Sequence, residues 1–281
     1  MKNFRNSILA LTVLVSSFVC SQDYPFQVSV KGEGQPILFL PGFACTAEVW
    51  EDTVEILSKN YECHIFTFAG FGNAPSIELP WLPKIKSGLS QYVKDKALKN
   101  PIIIGHSLGG TLALWLATEP NIPFEQIIVV DGLPAAGALM IPNYNSHDIV
   151  YDTPYNKQMI EMDAEGLKFM AQQMAQGMMI TDDRKELVTN WVLQADRETY
   201  VYGYTDLLKL DLREDLSKIS IPVTILAATH PYGKDMAKFT YDSQFEKLSN
   251  YTIHFAENSA HFIMYDQPEW FMKTLTNTLQ N

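Results

Sequence analysis

The chain is poor in cysteine, in basic residues and in long apolar runs. Its three cysteines, at positions 20, 45 and 63 of 281 residues, are too few for a disulfide scaffold. They and the six histidines show no zinc-site spacing. Lysine and arginine total 21 against 32 aspartate and glutamate, a formal charge of −11, and no compact basic run offsets it. Such a balance repels phosphate backbones and anionic lipid, so it argues against nucleic-acid binding. Internal repeats and low-complexity tracts are also missing, and only 19% of residues are charged while 47% are apolar. A chain of that composition has enough apolar surface to offset its conformational entropy and fold.

The amino-terminal apolar stretch, Ile8 to Val19, is about a dozen residues, short of the ~20 a spanning helix needs. Lys2 and Arg5 precede it, and small residues follow before Gln22 and Asp23. That layout predicts a secretory signal over residues 1–21, cleaved after Ser21, and an exported product that is periplasmic or secreted. Ser17, where lipoprotein signals carry an aliphatic residue, weakens Cys20 as an acylation site. Cleavage would remove Lys2 and Arg5 and no acidic residue, shifting the formal charge from −11 to −13. No later apolar run could span a bilayer.

Residues 22–281 alternate short apolar strands with amphipathic or apolar helices. Strands are predicted at Phe26–Lys31, Pro36–Leu40, Glu62–Phe68, Pro101–Gly105, Glu125–Asp131, Val223–Ala227 and Tyr251–Phe255. Helices are predicted at Ala47–Ser58, Trp81–Leu98, Ser107–Thr118, Lys238–Leu248 and Pro268–Leu279. The pattern is that of an α/β fold, a mostly parallel central sheet with helices on both faces. It breaks between about residues 133 and 215, where helical patterns occur without a strand, so a helical cap inserted into one domain is expected. Seven of the eleven methionines fall between Met140 and Met179. Cys45 and Cys63 lie at opposite ends of adjacent strands with a helix between, beyond the ~7 Å reach of a disulfide, and are expected as buried free thiols.

Gly105-His106-Ser107-Leu108-Gly109-Gly110 joins a β-branched strand to an apolar helix. A serine at the tip of so sharp a turn needs side-chain-free neighbours two residues before and after it, and Gly105 and Gly109 meet that need. The helix starting there aims its amino end at Ser107, so the Leu108 N–H can donate to a developing oxyanion. Ser107 is therefore a candidate nucleophile.

On this turn, the order of elements, the insertion after the next strand and a late histidine, the chain resembles the α/β-hydrolase superfamily, in particular its capped serine hydrolases and esterases. Pro41-Gly42-Phe43 is similar to the family's His-Gly-x turn, which implies the Phe43 N–H as the second oxyanion donor. Pro41 replaces the usual histidine and leaves that N–H available. His261, preceded by Ala260 and following the last strand, fits the family's general base, with His230 its one competitor. Asp266 is expected to cap the closing helix. The family's usual acid position, in the turn after Val223–Ala227, holds no carboxylate; Asp235 could reach only through a folded-back loop. Some members, haloalkane dehalogenases among them, place the acid after the strand that follows the nucleophile helix, and Asp131 resembles that arrangement. The triad implied is Ser107, His261 and Asp131, with Asp235 the alternative acid.

The resemblance implies hydrolysis of a small or lipophilic carboxylic ester through an acyl-serine, with no cofactor and no metal. Two alternatives stay open: a carbon–carbon bond hydrolase using the same residues, and a non-catalytic ligand-binding member.

Overall fold

The computed structural model describes residues 24–120 and 124–280; the expected export signal, residues 1–21, lies outside them. Seven strands form one sheet: β1 (Phe26–Lys31), β2 (Gln35–Leu40), β3 (Tyr61–Phe68), β4 (Ile102–His106), β5 (Ile127–Val130), β6 (Val223–Ala228) and β7 (Tyr251–Ala256). Their order is β1-β3-β2-β4-β5-β6-β7, with β1 antiparallel to β3 and every other pair parallel. Helices α1 (Glu51–Leu57), α2 (Trp81–Asp95) and α3 (Leu108–Ala117) connect the first strands, and α9 (Lys234–Gln244), α10 (Ile263–Asp266) and α11 (Pro268–Leu279) follow β6 and β7.

The inner strands β2, β4 and β5 read as nearly continuous apolar runs because both sheet faces are covered there. In β2, Leu38 and Leu40 join a cluster with Leu89 of α2 and Leu112 of α3. Their neighbours Ile37 and Phe39 enter a second cluster with Trp50, Val54 and, from α11, Phe271 and Leu275. Every residue of α3 except Trp115 and Ala117 is buried, which is why it shows no polar face. Cys45 and Cys63 are free and buried.

Between β5 and β6 the chain forms α4 (Ala136–Met140), α5 (Pro154–Glu161), α6 (Ala164–Met178), α7 (Lys185–Gln194), a π-helical turn at Thr199–Gly203 and α8 (Tyr204–Lys209), with no strand. The sequence patterns over Lys157–Met179 and Arg184–Leu210, each read as continuously helical, are thus broken, at Met162 and at Ala195, where each C-cap residue turns to extended ψ. Polar links fix this insertion to the sheet domain. The Leu82 N–H donates to Asp206 at 3.0 Å, the Asp196 N–H to Gly70 O at 2.7 Å, and Trp191 Nε1 to Glu48 at 3.2 Å. Helix α9 starts at Lys234, four residues earlier than its apolar spacing indicates, because Gly233, at φ +83°, reverses the chain ahead of it.

The chain runs outward from β2 to β3, then crosses back to β4 and proceeds the other way. The carboxyl ends of β2 and β4 therefore diverge into a crevice, the place where open α/β sheets bind ligands.

Candidate active site

Strand β4 ends at His106 and α3 begins at Leu108, so Ser107 alone turns the chain, at φ +53° and ψ −118°. Such a backbone costs a non-glycine residue about 1–3 kcal/mol and persists only where its surroundings enforce it. Here the Ser107 N–H donates to Val130 O at 2.8 Å, and Ser107 O accepts from the Thr111 N–H at 3.1 Å. The glycines are required sterically. A Cβ on Gly105 would stand 2.2 Å from Gly109 O, and one on Gly109 would stand 2.2 Å from Leu40 O.

Two residues that line this turn's crevice, Leu108 and Phe43, carry N–H groups of interest. Leu108 occupies the first position of α3, where a helix leaves its N–H unpaired, and Phe43 lies in the turn after β2, the strand beside β4. Neither N–H makes a backbone hydrogen bond among the described residues.

His261 Nδ1 lies 2.7 Å from Asp131 Oδ2. Asp131 follows β5 directly and is itself left-handed, at φ +48°. Its other oxygen accepts from the Ala228 N–H at 2.8 Å and from the Tyr241 hydroxyl of α9 at 2.9 Å. Burial alone would raise this carboxyl; the hydrogen bonds from His261, Ala228 and Tyr241 and the charge of a protonated His261 outweigh it and hold the group below the ordinary aspartate value. Asp235 is exposed in the first turn of α9 and has no contact with His261, so the structure pairs the imidazole with Asp131.

The loop carrying His261 is pinned on three sides. His106 Nε2 donates to His261 O at 3.0 Å, with the two rings 4.7 Å apart. The Phe262 N–H donates to Met178 O at 3.3 Å, and the Ala260 N–H to Asp266 at 2.8 Å. Asp266 does not cap α11, whose N-cap position is Gln267. Its buried carboxylate also accepts from the Ile180 and Thr181 N–H groups, each at 2.9 Å, and from Thr181 Oγ1 at 3.0 Å. The expected cap is instead a tie between the insertion and the histidine loop, because α10 intervenes and places Asp266 facing inward. His106 serves the same loop. Burial, and then the nearby imidazole of His261, push it down to about 3, so it stays neutral.

Among the other histidines, His64 is buried between Tyr92 and Glu62, and His147 is exposed in the insertion. His230 lines the cavity described next, and its N–H is held by Ser259 O at 2.9 Å. Among the described residues no cluster of histidine, cysteine and carboxylate side chains could hold a metal ion.

Ser107, His261, Asp131, Phe43 and Leu108 all border one cavity of about 820 Å³. The insertion forms its opposite side. Five of the seven grouped methionines, Met140, Met159, Met170, Met174 and Met178, line it, and Met236 of α9 adds a sixth. The sequence leaves Tyr241 and the Ala228 N–H unmarked and reads Asp266 only as a helix cap, since each acts on a group distant in the chain.

The sequence model of the alpha/beta hydrolase family matches residues 37–274. A pimeloyl-(acyl-carrier protein) methyl ester esterase of Vibrio cholerae is 25% identical over 69% of this chain and 75% of its own length. A biotin biosynthesis bifunctional protein of Cellvibrio japonicus is 24% identical over 84% of this chain, which spans 46% of that protein. Among solved structures, an esterase from Exiguobacterium antarcticum superposes with a TM-score of 0.76 at 17% identity, over 91% of this chain and 96% of the other. The enol-lactonase from Burkholderia xenovorans gives the same TM-score, 0.76, at 14% identity, over 91% and 96% of the two chains. With a family match running from β2 into α11, and a fold shared nearly end to end with these structures, the chain belongs to the alpha/beta hydrolase family.

Proposed function

We propose that this protein is a serine hydrolase of carboxylic esters, with Ser107 as nucleophile, His261 as general base and Asp131 as the group that orients the imidazole. The observation that carries this reading is the 2.7 Å contact from His261 Nδ1 to Asp131 Oδ2, in a cavity that also holds Ser107. An Nδ1–H committed to a carboxylate leaves Nε2 as the basic nitrogen, the tautomer needed to accept a hydroxyl proton. The esterase names of the sequence relatives support the ester as the bond attacked.

In the first half-reaction, Nε2 takes the Ser107 proton as Oγ bonds to the ester carbon, and the carbonyl oxygen becomes an oxyanion held by the Phe43 and Leu108 N–H groups. Collapse breaks the bond to the alkoxy oxygen, which leaves as the alcohol with the proton from His261. Water then repeats the sequence on the acyl-serine, releasing the acid and restoring Ser107. The insertion serves as a cap that keeps bulk water from this chemistry. The layout of residues 1–21 supports export of the enzyme, which the mass of the mature protein recovered outside the cytoplasm would test.

The test is turnover of 4-nitrophenyl butyrate by wild type and by Ser107→Ala. Loss of about 10⁴-fold or more in kcat is expected. Equal turnover by the two proteins would refute the assignment.

A further inference from the structure

The cavity's chemistry narrows the substrate further, and this step rests on the ester-hydrolase reading. We propose that the enzyme takes an uncharged ester whose apolar chain carries a second acceptor oxygen several bonds from the scissile carbonyl, received by the hydroxyls of Tyr200 and Tyr204.

Charge comes first. Among the described residues lining the cavity there is no lysine or arginine, and the one carboxylate, Asp131, already belongs to His261. The nearby guanidinium of Arg197 is committed to the carbonyl oxygens of Met159 and Met162, at 2.8 and 2.9 Å. A substrate carboxylate entering this space would lose its hydration and gain no counter-ion, a penalty that favours neutral chains. Volume agrees, since about 820 Å³ is ample for a long acyl or alkyl chain.

The two tyrosines supply the polar handle. Tyr200 sits in the π-helical turn and Tyr204 begins α8, four residues on. Their rings lie 5.5 and 5.3 Å from that of Phe43, which lines the same cavity as Ser107. Both tyrosines therefore line the Ser107 cavity beside Phe43. Each is a poorly served donor: Tyr200 reaches Met174 Sδ at 3.7 Å and Tyr204 reaches Met140 Sδ at 3.1 Å, with no oxygen acceptor for either among the described residues. Thioether sulfur is a weak acceptor, whereas a half-buried hydroxyl gains more from a carbonyl or ether oxygen. Unbranched methionines can swing aside for such an oxygen without disturbing the backbone. Burial raises both phenols, Tyr204 to about 12, which keeps them as neutral donors at working pH.

The test uses 4-nitrophenyl esters in matched sets built on adipic, suberic and sebacic acids: the far end as methyl ester, as free carboxylate, or replaced by methyl. At the best chain length, kcat/KM for the methyl diester should exceed that for the plain alkanoate about fivefold, and that for the carboxylate should fall about 100-fold below the diester. In the double variant Tyr200→Phe, Tyr204→Phe, the ratio of diester to alkanoate should drop about fivefold. Carboxylate turnover within threefold of the diester, or a ratio unmoved in the double variant, would overturn the proposal. If no ester is turned over and a fluorophosphonate fails to label Ser107, the esterase reading has failed. Calorimetric binding of the dimethyl and monomethyl diacid esters then still decides the substrate class. Binding of the neutral diester alone supports it; equal binding of the anion refutes it.

Discussion

On the sheet side of the cavity, Asp131, Ser107 and the His261 loop are each fixed by several independent contacts. Asp131 has three donors, Ser107 is held in a strained turn between β4 and α3, and the His261 loop is tied to β4, to Met178 and to Asp266. On the insertion side, α5 and α6 present methionines, and the best-placed hydroxyls rest on sulfur. The contrast separates two tasks. Chemistry requires atoms held to within fractions of an ångström, so it sits where backbone hydrogen bonds and forbidden Cβ volumes leave no freedom. Recognition of a chain of variable shape tolerates, and gains from, side chains that repack. Substitutions on the sheet side should therefore appear in kcat and stability, and those on the insertion side in selectivity.

The sharpest break of that comparison is Asp131→Asn, which keeps the shape and loses the charge that selects the His261 tautomer. Turnover should fall about 10⁴-fold, while Asp235→Asn, on an exposed turn, stays within about twofold, both read from steady-state rates. The second effect is on stability. His106, pushed down to about 3, stays neutral in the fold, whereas in the unfolded chain it takes a proton below about 6.5. Acidification therefore favours the unfolded chain: going from pH 7.5 to 5 should remove about 2 kcal/mol, read from denaturant midpoints, and His106→Gln should flatten that dependence. Asp131, held low, acts in the same sense at lower pH, its contribution being present above about 4 and lost as pH falls further.

A smaller change is expected for Tyr241→Phe, which removes one of the three donors to Asp131. The loss of about 1 kcal/mol corresponds to roughly fivefold in kcat with KM little changed. Smallest is Met174→Leu on the insertion side, a volume-conserving exchange that should cost under about 1.5 kcal/mol of stability. Its kcat for a plain alkanoate should stay within about threefold. A large kcat loss there would erase the distinction between the two sides.

How much of this is legible in the sequence follows from the range of each constraint. The strand, turn and helix around Ser107 can be read because every determinant, Gly105, Gly109 and the apolar α3, lies within a dozen residues. The alternation of strands and helices is likewise local, and the parallel sheet follows from it. Asp131 is visible as a carboxylate ending an apolar strand, yet its pairing with His261 spans 130 residues, and only the family resemblance points to it. Tyr241 stands in an amphipathic helix like any buried aromatic, and its hydroxyl contact depends on where α9 docks. Asp266 has the local look of a helix cap, and its partners Ile180 and Thr181 come from the insertion, more than 80 residues away. The methionine cluster announces adaptable apolar surface, while its division into cavity-lining and packed members is set by the tertiary fold alone.

The central claim, that Ser107 is a nucleophile activated by His261, is tested most directly by intact-mass and peptide mapping after exposure to a fluorophosphonate. The account predicts a single stoichiometric adduct on the peptide containing Ser107, slowed by several orders of magnitude in His261→Ala. An unmodified Ser107, or an adduct formed equally fast without His261, would contradict it.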